Sequence, residues 1–208
     1  MRAQEFVPGP VELTVFPILR FQGYRTIEQV APPIREAAQD MIAVAESLVD
    51  PRVVFVRRGI DRVDRDTLTL AGGPTFHGRC FTTHLSHARE AVCFVATLGP
   101  ALDERVIALA DAGDLLEAVF LEAAGWLAIE RVLRAFRVHL GAEAHPARQR
   151  LSPRLGPGFL DWALTEQQAF FSVFRGARLP VSVSEYSVMT PKKSISGLFG
   201  LLPAGSTP

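Results

Sequence analysis

The chain has 208 residues, 48% of them hydrophobic, enough to bury a sizeable core in a single domain spanning residues 1–208. Lys plus Arg and Asp plus Glu each number 22, so the formal net charge is zero and no overall field draws the protein to nucleic acid or an anionic membrane. The two cysteines, Cys80 and Cys93, lack paired spacing and read as buried small hydrophobes rather than a disulfide or zinc framework.

Glu5, Pro8 and Pro10 stand where a signal peptide needs an apolar run, and no segment reaches the ~20 apolar residues of a spanning helix; a cytoplasmic protein is expected. Residues 11–18 are β-rich and predict a short strand that Pro17 confines to an edge, followed by a turn over residues 19–25. After Pro32-Pro33, the apolar residues Ile34, Ala37, Ala38, Met41, Ile42, Ala45 and Leu48 recur at helical spacing up to Asp50-Pro51. Residues 53–56 and the flanks of residues 61–70 predict a hairpin joined by Arg-Gly and Asp-rich turns and closed by Gly72-Gly73-Pro74.

His84 and His87 follow Cys80 but match no standard zinc spacing. A short helix is expected at residues 86–89, then a buried central strand over the apolar run 91–97, which ends at Gly99-Pro100. Helices are predicted over residues 101–110 and 114–140, the second capped by Gly141, with Gly125 marking close packing against another backbone. The polar, Pro/Gly-rich segment 143–158 leads to a helix opened by Thr165 with an aromatic face of Phe170, Phe171 and Phe174, then to a strand over residues 179–183 and a frayed tail after Gly200. Hairpin, helices, then loop and strand, rather than regular βαβ alternation, predict an α+β fold: a twisted, mainly antiparallel sheet with long helices packed against it.

Arg154 lies in the rigid polar stretch Arg154-Leu155-Gly156-Pro157-Gly158-Phe159, and its planar fork matches a carboxylate in two parallel hydrogen bonds. Taken alone, such a residue is more often a solvated loop arginine. Glu130 sits in the apolar middle of the long helix, where a carboxylate needs a partner; that partner is either Arg134 at i+4 or a cationic ligand group. Glu185 reads as a strand-end acid, and Lys192 and Lys193 as surface charges, before the small polar run Ser194-Ile195-Ser196-Gly197.

Taken together, these blocks resemble the activation domain of cobalamin-dependent methionine synthase, and more closely the short stand-alone relatives of that domain. The likeness is carried by residues 19–24, 96–102, 121–130, 154–162 with Glu166-Gln167, and 185–197, so it spans most of the chain. The resemblance implies that Arg154 holds the carboxylate of S-adenosylmethionine, that the Gly158-Phe159 backbone meets its adenosine, and that Glu130 and Glu185 also contact the ligand. In two places the chain departs from the family pattern. Phe159 replaces a tyrosine and removes its hydroxyl. Near the N-terminus the position of a ligand-binding aspartate reads Gln22-Gly23-Tyr24, which removes an anionic contact to the ligand's ammonium.

By the same resemblance the protein is expected to serve a partner that carries cobalamin, a corrinoid-binding methyltransferase or methionine synthase subunit, with a flavodoxin or ferredoxin-type protein as electron donor. A methyl donor that is already activated needs no triad and no metal cluster of this chain's own. The alternative is a non-catalytic docking subunit that keeps the fold and has lost the ligand. A small-molecule methyltransferase is the weakest reading, because the Gly-rich strand-to-helix fingerprint of a doubly wound fold is absent.

Overall fold

In the computed structural model, which describes residues 3–205, the chain opens with strand β1 (Gln4–Phe6), helix α1 (Val15–Phe21) and helix α2 (Pro32–Leu48). Strands β2 (Arg52–Asp64), β3 (Thr67–Leu70) and β4 (Thr75–His77) follow, then helix α3 (Arg79–Leu85), strand β5 (Glu90–Thr97), and helices α4 (Ala101–Ala112) and α5 (Leu115–Ala144). The last third holds β6 (Gln149–Leu151), α6 (Gln167–Phe171), β7 (Ser182–Val183), β8 (Met189–Thr190) and β9 (Ser194–Pro203).

The main sheet has seven strands, in the order β4-β3-β2-β5-β9-β6 with β1 also on β2, and all its pairings among the described residues are antiparallel. With the long helices packed on it, this is the predicted α+β architecture. Strand β5 lies between β2 and β9 and is buried on both faces, which explains its unbroken apolar run. Alternation then sorts its side chains. Val92, Phe94 and Ala96 face α5 through Ile129, Val132 and Phe136. Ala91, Cys93 and Val95 face a second layer of Phe76, Phe81, Trp162 and Phe170. A third cluster joins Ile18 and Leu19 of α1, Met41 and Ile42 of α2, Leu102 of α4 and Phe120 of α5.

Several expectations need correction. Residues 11–18 hold no strand; the helix α1 begins at Val15, and Pro17 sits in its first turn, where backbone N–H groups have no intrahelical acceptor to lose. Arg58-Gly59 is not a turn. Both residues pair with β5, opposite Ala91 and Glu90, and the chain reverses instead at Arg65 (φ 47°). The short helix lies at α3, ahead of residues 86–89. Helix α5 runs through Gly141 to Ala144. Thr165 makes no cap: a single 3-10 turn (Leu164–Glu166) precedes α6, and neither start has a side-chain cap. The strand expected over residues 179–183 shrinks to β7, paired with β8 in a small separate hairpin.

Beyond Gly200 the chain is not frayed, because Leu201 and Leu202 are buried where β9 pairs with β6; residues 206–208 lie outside the described region. Lys193, expected on the surface, is fully buried. Gly125 makes room for side chains and not for another backbone: a Cβ there would lie 2.7 Å from Lys193 Cε and 2.9 Å from Leu102 Cδ2. Among the described residues, no helix is long and apolar enough to cross a membrane.

Candidate functional site

Arg154 is positioned by the sheet edge. Leaving β6, Ser152 exchanges hydrogen bonds with Gly200 of β9, donating its N–H to the carbonyl and accepting the Gly200 N–H on its hydroxyl, each at 2.9 Å. Leu155 is then bridged to Leu198 by two backbone bonds of 3.0 and 2.8 Å. Leu155 packs into the layer around Trp162, so the preceding side chain points to the opposite face, toward α5. Arg137 of α5 donates to the Ser152 carbonyl at 2.9 Å and ties helix and segment together.

The guanidinium meets Glu130 there. Both Nη1 and Nη2 of Arg154 donate to the same oxygen, Glu130 Oε1, at 3.1 Å. The Arg154 side chain is 24% exposed and that of Glu130 55%. The carboxylate therefore does not pair with Arg134, which instead lines a groove of about 260 Å³ with Arg131 and Glu12.

The following turn depends on its glycines. A Cβ on Gly156 would lie 2.7 Å from the backbone carbonyl of Ser196, so only glycine lets the segment lie flat on β9. Gly158 has φ +86° and donates its N–H to Trp162 O at 2.8 Å; Phe159 donates to Gly156 O at 3.0 Å. Phe159 is half exposed, and its ring centroid lies 5.3 Å from Arg154 Cζ, a cation–π contact that holds the guanidinium from the loop side. Leu160 occupies the left-handed region at φ 54°, which a bulky side chain rarely adopts.

Below the turn, polar groups pin it to β4 and α3. Trp162 is buried, and its indole donates to Glu166 Oε2 at 2.8 Å; the same carboxylate accepts the His77 N–H at 3.0 Å and lies 2.7 Å from His77 Nδ1. Asp161 accepts the backbone N–H groups of Cys80 (3.0 Å) and Arg79 (2.7 Å). Those bonds, the Cys80 amide foremost, hold its carboxyl down at about 2. Burial pushes the Cys93 thiol up to about 12, as it does that of Cys80, where Asp161 adds to the effect, so neither cysteine is a ready nucleophile. Both acids of this stretch are spent on backbone and indole N–H groups, and Phe159, Leu160 and Leu164 are its exposed large apolar side chains.

The structure thus brings Arg154, Gly158, Phe159 and Glu130 together. Glu185 stands apart: it is exposed on the turn joining β7 and β8, and no hydrogen bond or ion pair joins it to Arg154 or Glu130. The hairpin is nevertheless tied to the site's supporting helix, since Gln168 Nε2 donates to Ser184 O at 2.9 Å. The turn at Gln22-Gly23-Tyr24 follows α1, and Tyr24 packs on the cluster that α1, α2, α4 and the first half of α5 share. Glu12, an acid that sequence reading passed over, shares a groove with Arg131 and Arg134 of α5, and neither Glu130 nor Arg154 lines that groove.

Also missed was Lys193, whose Nζ lies 2.7 Å from Glu122 Oε2, at an angle short of a hydrogen bond, 3.7 Å from Asp103 Oδ1, and 5.3 Å from the Trp126 ring centroid. Its signal was strand parity: Lys193 and Ile195 share a side of the chain, and Ile195 is core. A larger cleft, about 780 Å³, lies elsewhere, lined by Arg52, Thr97, Gly99, Arg178 and Ser182 among others. Among the described residues, no group of three or more His, Cys, Asp or Glu is placed to hold a metal ion.

The sequence matches no family model and no curated protein. Among solved structures, the chain is similar to the crystal structure of the MetH reactivation domain bound to AdoHcy, with a TM-score of 0.67 and 16% identity over 100% of this chain and 81% of that one. The chain has the fold of that reactivation domain.

Proposed function

We propose that this protein binds S-adenosylmethionine at Arg154 and docks on a separate corrinoid methyltransferase, such as a split cobalamin-dependent methionine synthase, to permit reductive methylation of its cob(II)alamin. The observation that carries the reading is the pairing of a fixed guanidinium and a carboxylate beside a Gly-shaped turn, on a fold shared with a domain solved with AdoHcy bound. Arg154 takes the ligand carboxylate, Glu130 its ammonium, and the Gly158-Phe159 backbone its adenosine. Glu185 stands on the β7–β8 turn away from this pair, and its contact to the ligand is assigned from the family resemblance.

The ligand's sulfonium supplies an activated methyl group, so the chain's own task is to hold it in line with the acceptor and exclude water. One electron enters from a flavodoxin or ferredoxin-type donor and reduces cob(II)alamin to cob(I)alamin, which takes the methyl group as the S–CH3 bond breaks, giving methylcob(III)alamin on the partner and releasing S-adenosylhomocysteine. With a cob(II)alamin-loaded corrinoid protein, a reductant and S-adenosylmethionine labelled in the methyl group, label is expected on the corrinoid only when this protein is added. Label transfer at the same rate without it would remove the reactivation role.

A second reading, a docking subunit that does not bind the ligand, is supported by the exposed apolar side chains of Phe159, Leu160, Leu164, Tyr186 and Val188. It predicts association with the corrinoid protein that is indifferent to S-adenosylmethionine. Co-sedimentation with and without the ligand separates the two: tighter association with ligand present favours the first reading.

A further inference from the structure

Arg154 and Glu130 already satisfy one another, and the way they do so bears on which ligands can enter. The guanidinium spends both Nη donors on one oxygen, Glu130 Oε1. A carboxylate that meets an arginine fork with both oxygens makes two parallel bonds and fits better. The pair is also half exposed on its acidic side, and ion pairs of that exposure hold weakly. Phe159 keeps the guanidinium in place from the other side, so the movable member is the glutamate.

We infer that Glu130 is an internal competitor for Arg154, and that the pair admits only a ligand end carrying both charges, an α-amino acid zwitterion. The inference rests on the S-adenosylmethionine reading above and deepens it by naming what the site selects. A ligand carboxylate displaces Glu130 from the fork, and the freed Glu130 regains a partner in the ligand ammonium. Charge is conserved across the exchange: one ion pair becomes two. A ligand with a carboxylate alone leaves Glu130 facing another anion, and a ligand with neither charge has nothing with which to open the pair.

The test uses the purified full chain, its Glu130→Gln variant and three probes: S-adenosylmethionine, its deaminated 2-oxo acid analogue, and 5′-methylthioadenosine. Wild-type protein is expected to bind S-adenosylmethionine at least roughly tenfold more tightly than either analogue, as loss of one charged hydrogen bond implies. In Glu130→Gln the two acids should move in opposite directions: S-adenosylmethionine weakens, because its ammonium loses a charged partner, while the deaminated analogue tightens, because its competitor is gone. A merely structural Glu130 would shift both ligands the same way, and that outcome, or no shift for either, overturns the inference while leaving the binding reading intact. Failure of S-adenosylmethionine to bind wild-type protein at millimolar concentration overturns the reading itself.

Discussion

Replacing Lys193 with alanine is expected to lower stability by about 3–5 kcal/mol, the loss that follows when one partner is removed from a buried ion pair. Its side chain is fully buried between α4 and α5, and its ammonium is the cation facing Asp103 and Glu122 there, with the exposed Lys192 at the margin. Truncation leaves a cavity over Gly125 and two carboxylates facing each other. Urea unfolding reads the effect directly, and a Lys193→Met, Asp103→Asn, Glu122→Gln triple variant should recover a large part of it, since both stranded charges are removed with their partner.

The same cluster sets a pH dependence. Burial works to raise the Glu122 carboxyl, but the contacts of Lys193 and Lys192 outweigh it and hold it below its ordinary 4.5. A carboxyl depressed in the folded state contributes stability that is fully present above 4.5 and is lost as pH falls through the folded value. Acid unfolding below that point should therefore be shallower in Glu122→Gln than in the wild type.

Gly156→Ala is the second large effect. The new Cβ meets a backbone carbonyl, Ser196 O, and not the end of a flexible side chain, so relief requires the segment to lift from β9 and the Leu155–Leu198 bridge to open. Overpacking of this kind costs about 1–3 kcal/mol. Because Arg154 lies one residue before the bridge and Gly158 three after it, S-adenosylmethionine affinity should fall by at least roughly tenfold as well, a positional loss added to the stability loss. Gly141→Ala provides the contrast. It lies inside α5 with open space around it, so it should stabilise the protein by up to about 1 kcal/mol and leave binding unchanged.

What could be read before the structure was whatever a local pattern alone decides. The run through β5 is apolar on both faces because it is central, and α2 shows its buried stripe at Ala38, Met41, Ile42 and Ala45 because only one side is covered. Where the deciding partner is distant in sequence, local pattern misleads. The β-rich stretch around Pro17 becomes helical because Ile18 and Leu19 are buried against α2 and α5, and tertiary burial overrides propensity. Lys193 looks like half of a solvated Lys-Lys pair until Gly125, nearly seventy positions earlier, supplies the space for its stem.

The site follows the same division. Arg154, Gly156 and Gly158 were legible because their chemistry is local: a fork, a flat approach to β9 and a positive φ. Glu130 was legible as a carboxylate in need of a partner, but Arg134, four residues on, and Arg154 across the fold offered it the same charge, and only the packing of α5 on the sheet edge decides between them. Glu166 and Asp161 fall in the blocks that carry the likeness, but their role was not legible, since each acts by gathering backbone or indole N–H groups from segments more than eighty residues upstream or one turn away.

The central claim is that Arg154 anchors S-adenosylmethionine, and equilibrium titration of the purified chain measures it most directly. Saturable binding to the wild type with loss of roughly tenfold or more in affinity in Arg154→Ala is predicted, as removal of a charged two-bond contact requires. Equal affinity in the variant, or no saturation of the wild type at millimolar ligand, would contradict the account.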